Sequence, residues 1–97
     1  MHAAFYIDIS IQTAEGPLRI GRFDVGRERH AAMNLFKQLK GSPKVNLKDM
    51  LYIEFMEQVN GLPLNIDILT CDLQELGTNT MLITRELFRL ANLKDST

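Results

Sequence analysis

The chain has 97 residues, of which 45% are hydrophobic and 24% are charged. This composition is that of an ordinary globular protein, and the length supplies one hydrophobic core, so we expect a single domain over residues 1–97. The formal net charge of −1 gives no overall attraction to nucleic acid or to a membrane surface.

The first predicted elements are two β-strands. Residues 4–13 alternate between apolar and polar side chains, which is the pattern of a strand. Gly16 and Pro17 then predict a turn into a second strand. Within that second strand the apolar residues change phase at Gly21, and a phase change of one residue predicts a β-bulge there.

A helix is predicted from about residue 27 to residue 40. Its buried stripe has helical spacing and consists of Ala32, Leu35, Phe36 and Leu39. Gly41 and Pro43 are expected to end the helix, because glycine favours a left-handed cap and proline cannot continue the helical hydrogen bonds.

The second half begins with a polar linker at residues 42–49. Residues 50–59 are compatible with a strand or with a helix, because apolar residues recur at both spacings. We predict a strand, since Asn60-Gly61 is a strong hairpin signal. The fourth strand, over 62–70, is expected to place four apolar residues on one face: Leu62, Leu64, Ile66 and Ile68.

The last helix has the clearest start. Asp72 and Glu75 have the spacing of a capping box, in which two side chains accept from free backbone N–H groups. Apolar residues then hold helical spacing to about residue 92. They form two strips: Leu73, Leu76, Thr80, Ile83, Leu87 and Leu90 in one, and Met81, Thr84, Phe88 and Ala91 in the other.

These elements form a ββα unit that occurs twice, in pseudo-repeats 4–41 and 50–93. Pro17 and Pro63 cannot donate to a β-ladder, which favours the edges of a sheet for the second and fourth strands. We therefore predict an α+β two-layer sandwich with a duplicated ββα-ββα architecture. Its four-stranded antiparallel sheet has the order 2-1-3-4, with both helices on one face.

A basic cluster marks the start of the first helix. Arg22, Arg27, Arg29 and His30 could hold a phosphate or a carboxylate there, with the help of free backbone N–H groups. Residues 1–48 contain eight lysines and arginines against four acids, whereas residues 49–97 contain three against eight. An anion-binding domain is therefore one alternative function, and a small anion is favoured over nucleic acid because the total charge is not positive.

An enzyme is the other alternative. Tyr6 and Asp8 recur as Tyr52 and Glu54 at equivalent strand positions, and paired carboxylates can act as acid and base. However, the sequence contains no recognisable catalytic motif, and its cysteine and histidine residues lack the spacing of a metal site. We therefore assign no catalytic residue, metal or cofactor.

The favoured hypothesis is a non-catalytic interaction module that forms a homo-oligomer, most simply a dimer. The reason is that the last helix and the sheet face away from the helices carry more apolar residues than a single core is expected to cover. The candidate interface residues are Tyr52, Met56, Leu69, Met81 and Phe88. The N-terminus lacks the pattern of a signal peptide and the single Cys71 fits a reducing compartment, so a cytoplasmic location without a membrane anchor is expected.

Overall fold

The computed structural model describes residues 3–43 and 51–95. Its elements in chain order are β1 (Ala3–Thr13), β2 (Gly16–Asp24), α1 (Arg29–Lys37), β3 (Leu51–Val59), β4 (Leu62–Cys71) and α2 (Leu73–Asp95). The strands form one antiparallel sheet of order β2-β1-β3-β4. The α+β class and the strand order are therefore confirmed, with proline-containing strands at both edges. Most of the predicted linker, residues 44–49, lies outside the described residues.

Residues 51–59 are a strand, as the hairpin signal predicted. The two turn residues between β3 and β4 are Asn60, with a φ of 54°, and Gly61, with a φ of 80°. Positive φ at both central positions matches the twist of a two-residue hairpin, and asparagine and glycine adopt it at the lowest cost. This local preference therefore decides between the two periodicities that the sequence allows.

Each hairpin contains one β-bulge. The β1–β2 register shifts between Ile9 and Ser10 and leaves Ile20 without a partner, which confirms a bulge beside Gly21. The β3–β4 register shifts between Phe55 and Met56 and leaves Ile66 without a partner. Ile20 and Ile66 are 46 positions apart, and so are the two register shifts, which follow Ile9 and Phe55.

The second bulge corrects one prediction. An extra residue reverses the alternation of side chains along a strand. Leu64 pairs with Glu57, whereas Ile68 pairs with Glu54 and therefore points to the opposite side of the sheet. The expected common face of Leu62, Leu64, Ile66 and Ile68 is wrong for Ile68.

The two central strands have one apolar face and one polar face. The apolar face carries Phe5, Ile7, Ile9, Ile53 and Phe55, and the polar face carries Tyr6, Asp8, Ser10, Tyr52 and Glu54. Residues of the apolar face share a core cluster with Leu35 and Phe36 of α1 and with Ile83 of α2. The ring of Phe55 lies 5.4 Å from that of Phe36 and 5.9 Å from that of Phe5.

Helix α1 is shorter than predicted at both ends. At its start, Gly26 accepts from the N–H of Phe5 at 2.8 Å, so the chain is still paired with β1 and cannot yet turn into a helix. At its end, Asn79 accepts from the N–H of Lys40 and donates to the carbonyl of Lys40, both at 2.7 Å. These bonds hold the backbone of Lys40 outside the helical pattern.

The segment after α1 docks against the edge of β4. Ser42 and Thr70 exchange two backbone hydrogen bonds of 2.8 and 2.9 Å. A Cβ atom on Gly41 would lie 2.6 Å from the carbonyl oxygen of Thr70. Glycine is therefore needed at position 41 for close approach to β4.

Helix α2 begins as the capping box predicts. The carboxylate of Asp72 accepts from the N–H of Glu75 at 2.7 Å, and the carboxylate of Glu75 accepts from the N–H of Asp72 at 3.0 Å. The helix has 23 residues and is therefore about 34 Å long. In the described part of the chain, no helix combines the length and the apolar character needed to cross a membrane.

Candidate functional site

The polar face has two carboxylates at its centre. Asp8 and Glu54 are direct partners across β1 and β3, as expected for neighbouring strands. Tyr6 and Tyr52 lie in the adjacent rows on either side of this pair. The structure therefore brings together the four residues of the enzyme hypothesis.

Asp8 is held by arginines of β2. The guanidinium of Arg22 donates to both carboxylate oxygens of Asp8, at 2.7 and 3.1 Å. This side-chain hydrogen bond raises the pKa of Arg22 above its ordinary value, although burial acts against it. Arg19 lies 3.9 Å from the same carboxylate, and the guanidinium of Arg22 is 4.1 Å from the ring centre of Tyr6. Asp8 is therefore the acceptor in a structural ion-pair network.

Glu54 has different neighbours. Its partner on β4 is Ile68, and one hydrogen bond of 3.1 Å reaches it from the side-chain amide of Asn65. Only 12% of the Asp8 side chain is exposed, and Tyr6 and Tyr52 are buried. This arrangement leaves little surface of Asp8, Tyr6 or Tyr52 for a substrate, whereas Glu54 is partly buried.

The basic residues of the anion hypothesis do not meet at one place. Arg22 lies on the polar face, whereas Arg29 pairs with Glu57 at 3.2 Å and lies 5.8 Å from the ring of Phe5, on the apolar side. Arg27 and His30 are exposed near the start of α1.

The start of α1 already has an internal acceptor. The side chain of Glu28 is its N-cap and accepts from the N–H of Ala31 at 3.3 Å. This carboxylate offsets the positive end of the helix dipole, which an anion would otherwise use.

Helix α2 carries an exposed stripe with a regular pattern. Its members, called the α2 stripe below, are spaced by four, three, four and three residues: Gly77, Met81, Thr84, Phe88 and Ala91. Met81 is 57% exposed and Phe88 is 70% exposed. The stripe lies about 100° around the helix from Ile83 and Leu87, which face the core.

Arg85 flanks the α2 stripe. Together with Thr80, Met81, Thr84 and Phe88 it lines a shallow depression of about 510 Å³. The sequence identified Met81 and Phe88 as candidates but not Gly77 or Arg85. The spacing of Gly77 from Met81 is the signal that could have revealed its membership of the stripe.

The other predicted interface residues have different environments. Tyr52 is 8% exposed and Met56 is partly buried on the polar face. Leu69 pairs with Ile53 and packs against the core, so its expected position on the sheet face opposite the core is wrong. The reason is again the bulge at Ile66, beyond which the alternation changes phase.

Comparison of the chain with protein-family models, with curated proteins and with solved structures found no match. The function therefore has to be inferred from the surfaces of the molecule itself.

Proposed function

We propose that the protein is a non-catalytic interaction module that forms a homo-oligomer through the α2 stripe. The observation that carries this proposal is the exposure of Met81 and Phe88 on the side of α2 away from the core. Burying a side chain of this size contributes about 1.5–3 kcal/mol. Two such residues on one stripe form an apolar surface of the kind that marks interaction sites.

A second copy of the chain is the simplest partner. A twofold dimer buries the same patch on both copies, so two exposed residues per chain yield four buried ones. Arg85 is the charged residue among the side chains that line the depression on the stripe.

The alternative functions have weaker support. Anion binding through Arg22 and Arg29 would have to displace Asp8 and Glu57 from their ion pairs. Catalysis by Asp8 would require a substrate to reach a side chain that is mostly buried and held by Arg22. The α2 stripe needs no such rearrangement.

The test is multi-angle light scattering on the wild-type protein and on Phe88→Glu over protein concentrations from the micromolar to the millimolar range. We expect a dimer for the wild type and a monomer for the variant, because the new carboxylate cannot be buried without a partner. Leu62→Glu is the matched control, since Leu62 is 67% exposed at the far hairpin and lies outside the stripe. A wild-type monomer would contradict the proposal.

We also infer that the chain arose by duplication of one ββα unit, with both helices packed on the apolar face. The equal spacing of 46 residues between the bulges at Ile20 and Ile66 supports the duplication. Asp8 and Glu54 are also 46 positions apart and pair directly, as residues on a pseudo-twofold axis do. The shared core cluster of α1, α2 and the central strands supports the helix placement.

A further inference from the structure

The geometry points to an antiparallel pairing of two α2 helices, in which Phe88 packs over Gly77 of a second copy and Met81 over its Thr84. This inference rests on the proposed function and specifies its interface. Large residues occupy one heptad position of the α2 stripe, and small ones occupy the other. The two kinds alternate along the helix.

The alternation of sizes selects the antiparallel orientation. In a parallel pair, equivalent residues meet, so Phe88 would oppose Phe88 and Gly77 would oppose Gly77. The layers would then be alternately crowded and empty, and both conditions are destabilising. In an antiparallel pair each large residue meets a small one, and all layers have similar volumes.

Gly77 provides an independent indication of close approach. A glycine inside a helix costs about 1 kcal/mol relative to alanine. In the described part of the chain, apart from its neighbouring residues and the backbone of its own helix, no atom lies within 4 Å of the position that a Cβ on Gly77 would occupy. Packing among the described residues of one copy therefore gives no reason for glycine, whereas an aromatic ring of a second copy seated there does.

The charge of Arg85 selects the register. In two antiparallel registers, both large residues of the stripe, Met81 and Phe88, lie opposite small residues of the second copy. One places Phe88 over Thr84 and Met81 over Ala91, and it brings the two Arg85 side chains together near the twofold axis. The other places Phe88 over Gly77 and puts each Arg85 beside Thr78 of the second copy. Because like charges in contact are unfavourable, we select the second register.

The contact surface is small. The paired segment runs from Gly77 to Phe88, which is about 18 Å of helix. It forms four layers, two of Phe88 with Gly77 and two of Met81 with Thr84. A contact of this size belongs with weak, reversible interfaces rather than with permanent ones. We therefore expect a dimer that dissociates on dilution.

Two leucine substitutions test the register by sedimentation equilibrium. Gly77→Leu places a large residue beneath Phe88 of the second copy, and we expect the dissociation constant to rise at least about tenfold. Ala91→Leu adds a side chain of the same size beside Gln74 of the second copy, at the open end of the helix pair beyond the Phe88 and Gly77 layers, and we expect less than about a twofold change. Unfolding curves of both variants establish that the fold is intact.

A charge variant tests the position of Arg85. Thr78→Glu places a carboxylate beside Arg85 of the second copy, and we expect the dissociation constant to fall about threefold, with a smaller effect in high salt. Thr78→Lys should raise it. A lower dissociation constant for both Thr78→Glu and Thr78→Lys would overturn the register.

The outcomes separate the two proposals. A wild-type monomer would overturn the homo-oligomer and the helix pairing together. A wild-type dimer that is weakened by Ala91→Leu but not by Gly77→Leu would overturn the register and leave the homo-oligomer standing. A dimer that Phe88→Glu does not affect would move the interface away from α2.

Discussion

At the scale of single residues, Asn79 links two parts of the chain that are distant in sequence. Its side chain is fully buried, and its amide satisfies both the N–H and the carbonyl of Lys40. A carboxamide carries a donor and an acceptor side by side on one planar group and can therefore form both bonds. Asparagine therefore has a structural role on this turn of α2.

We expect Asn79→Ala to lower the free energy of unfolding by about 2 kcal/mol. Two backbone groups of Lys40 lose their partners, and a partly buried unsatisfied group costs about 1–3 kcal/mol. Asn79→Asp should also destabilise the protein, because a carboxylate cannot donate to the carbonyl of Lys40. Urea denaturation measures both changes. Wild-type stability in either variant would show that water replaces the amide without loss.

At the scale of elements, the β3–β4 hairpin depends on the backbone of Gly61. Its φ of 80° is unfavourable for a residue with a Cβ atom, although space for that atom is available. We expect Gly61→Ala to lower the free energy of unfolding by about 1 kcal/mol. Gly21→Ala is the matched control, because Gly21 has open space without a positive φ, and its effect should be smaller. Equal melting temperatures for the two variants would contradict this account.

The ion pair of Glu86 and Arg89 on α2 predicts a dependence on pH. The hydrogen bond from Arg89 lowers the pKa of Glu86 below its ordinary value of 4.5. Folding therefore favours the charged carboxylate. This contribution is fully present above pH 4.5 and is lost as the pH falls through the lower value of the folded state.

Urea denaturation of the wild type and of Glu86→Gln between pH 2 and 7 tests the effect. We expect Glu86→Gln to be less stable than the wild type at pH 7. The difference in the free energy of unfolding should shrink as the pH falls below 4.5. A difference that is independent of pH would show that another property of Glu86 is responsible.

At the scale of the whole molecule, Phe55 is the residue at which the elements meet. It belongs to β3, and its ring contacts Phe5 of β1 and Phe36 of α1. We expect Phe55→Ala to lower the free energy of unfolding by about 3–5 kcal/mol, which is a large part of the stability of a domain of this size.

Phe88→Ala is the matched control for this prediction. The same atoms are removed, but Phe88 is largely exposed on α2, so the loss should stay below about 1 kcal/mol at a concentration at which the protein is monomeric. Thermal unfolding followed by circular dichroism measures both variants. Comparable losses for the two phenylalanines would contradict the description of the core.

The sequence by itself determined the elements and the strand order. Alternation predicted β1, the Asn60-Gly61 pair predicted the β3–β4 hairpin, and the Asp72 and Glu75 pair predicted the start of α2. These signals are local, since each depends on the backbone preferences or hydrogen bonds of neighbouring residues. Pro17 and Pro63 predicted the strand order, because a residue without an N–H favours an edge strand.

Tertiary structure alone decided the ends of α1, the faces of β4 and the environment of the charged residues. Pairing of Gly26 with β1 delays the helix, and the Asn79 side chain ends it through a contact 39 residues away in sequence. The bulge at Ile66 turns Leu69 towards the core. Arg22 and Arg29 lie close in sequence but face different carboxylates on opposite sides of the sheet. Such contacts join segments that are separated along the chain, and the preferences of neighbouring residues do not encode them.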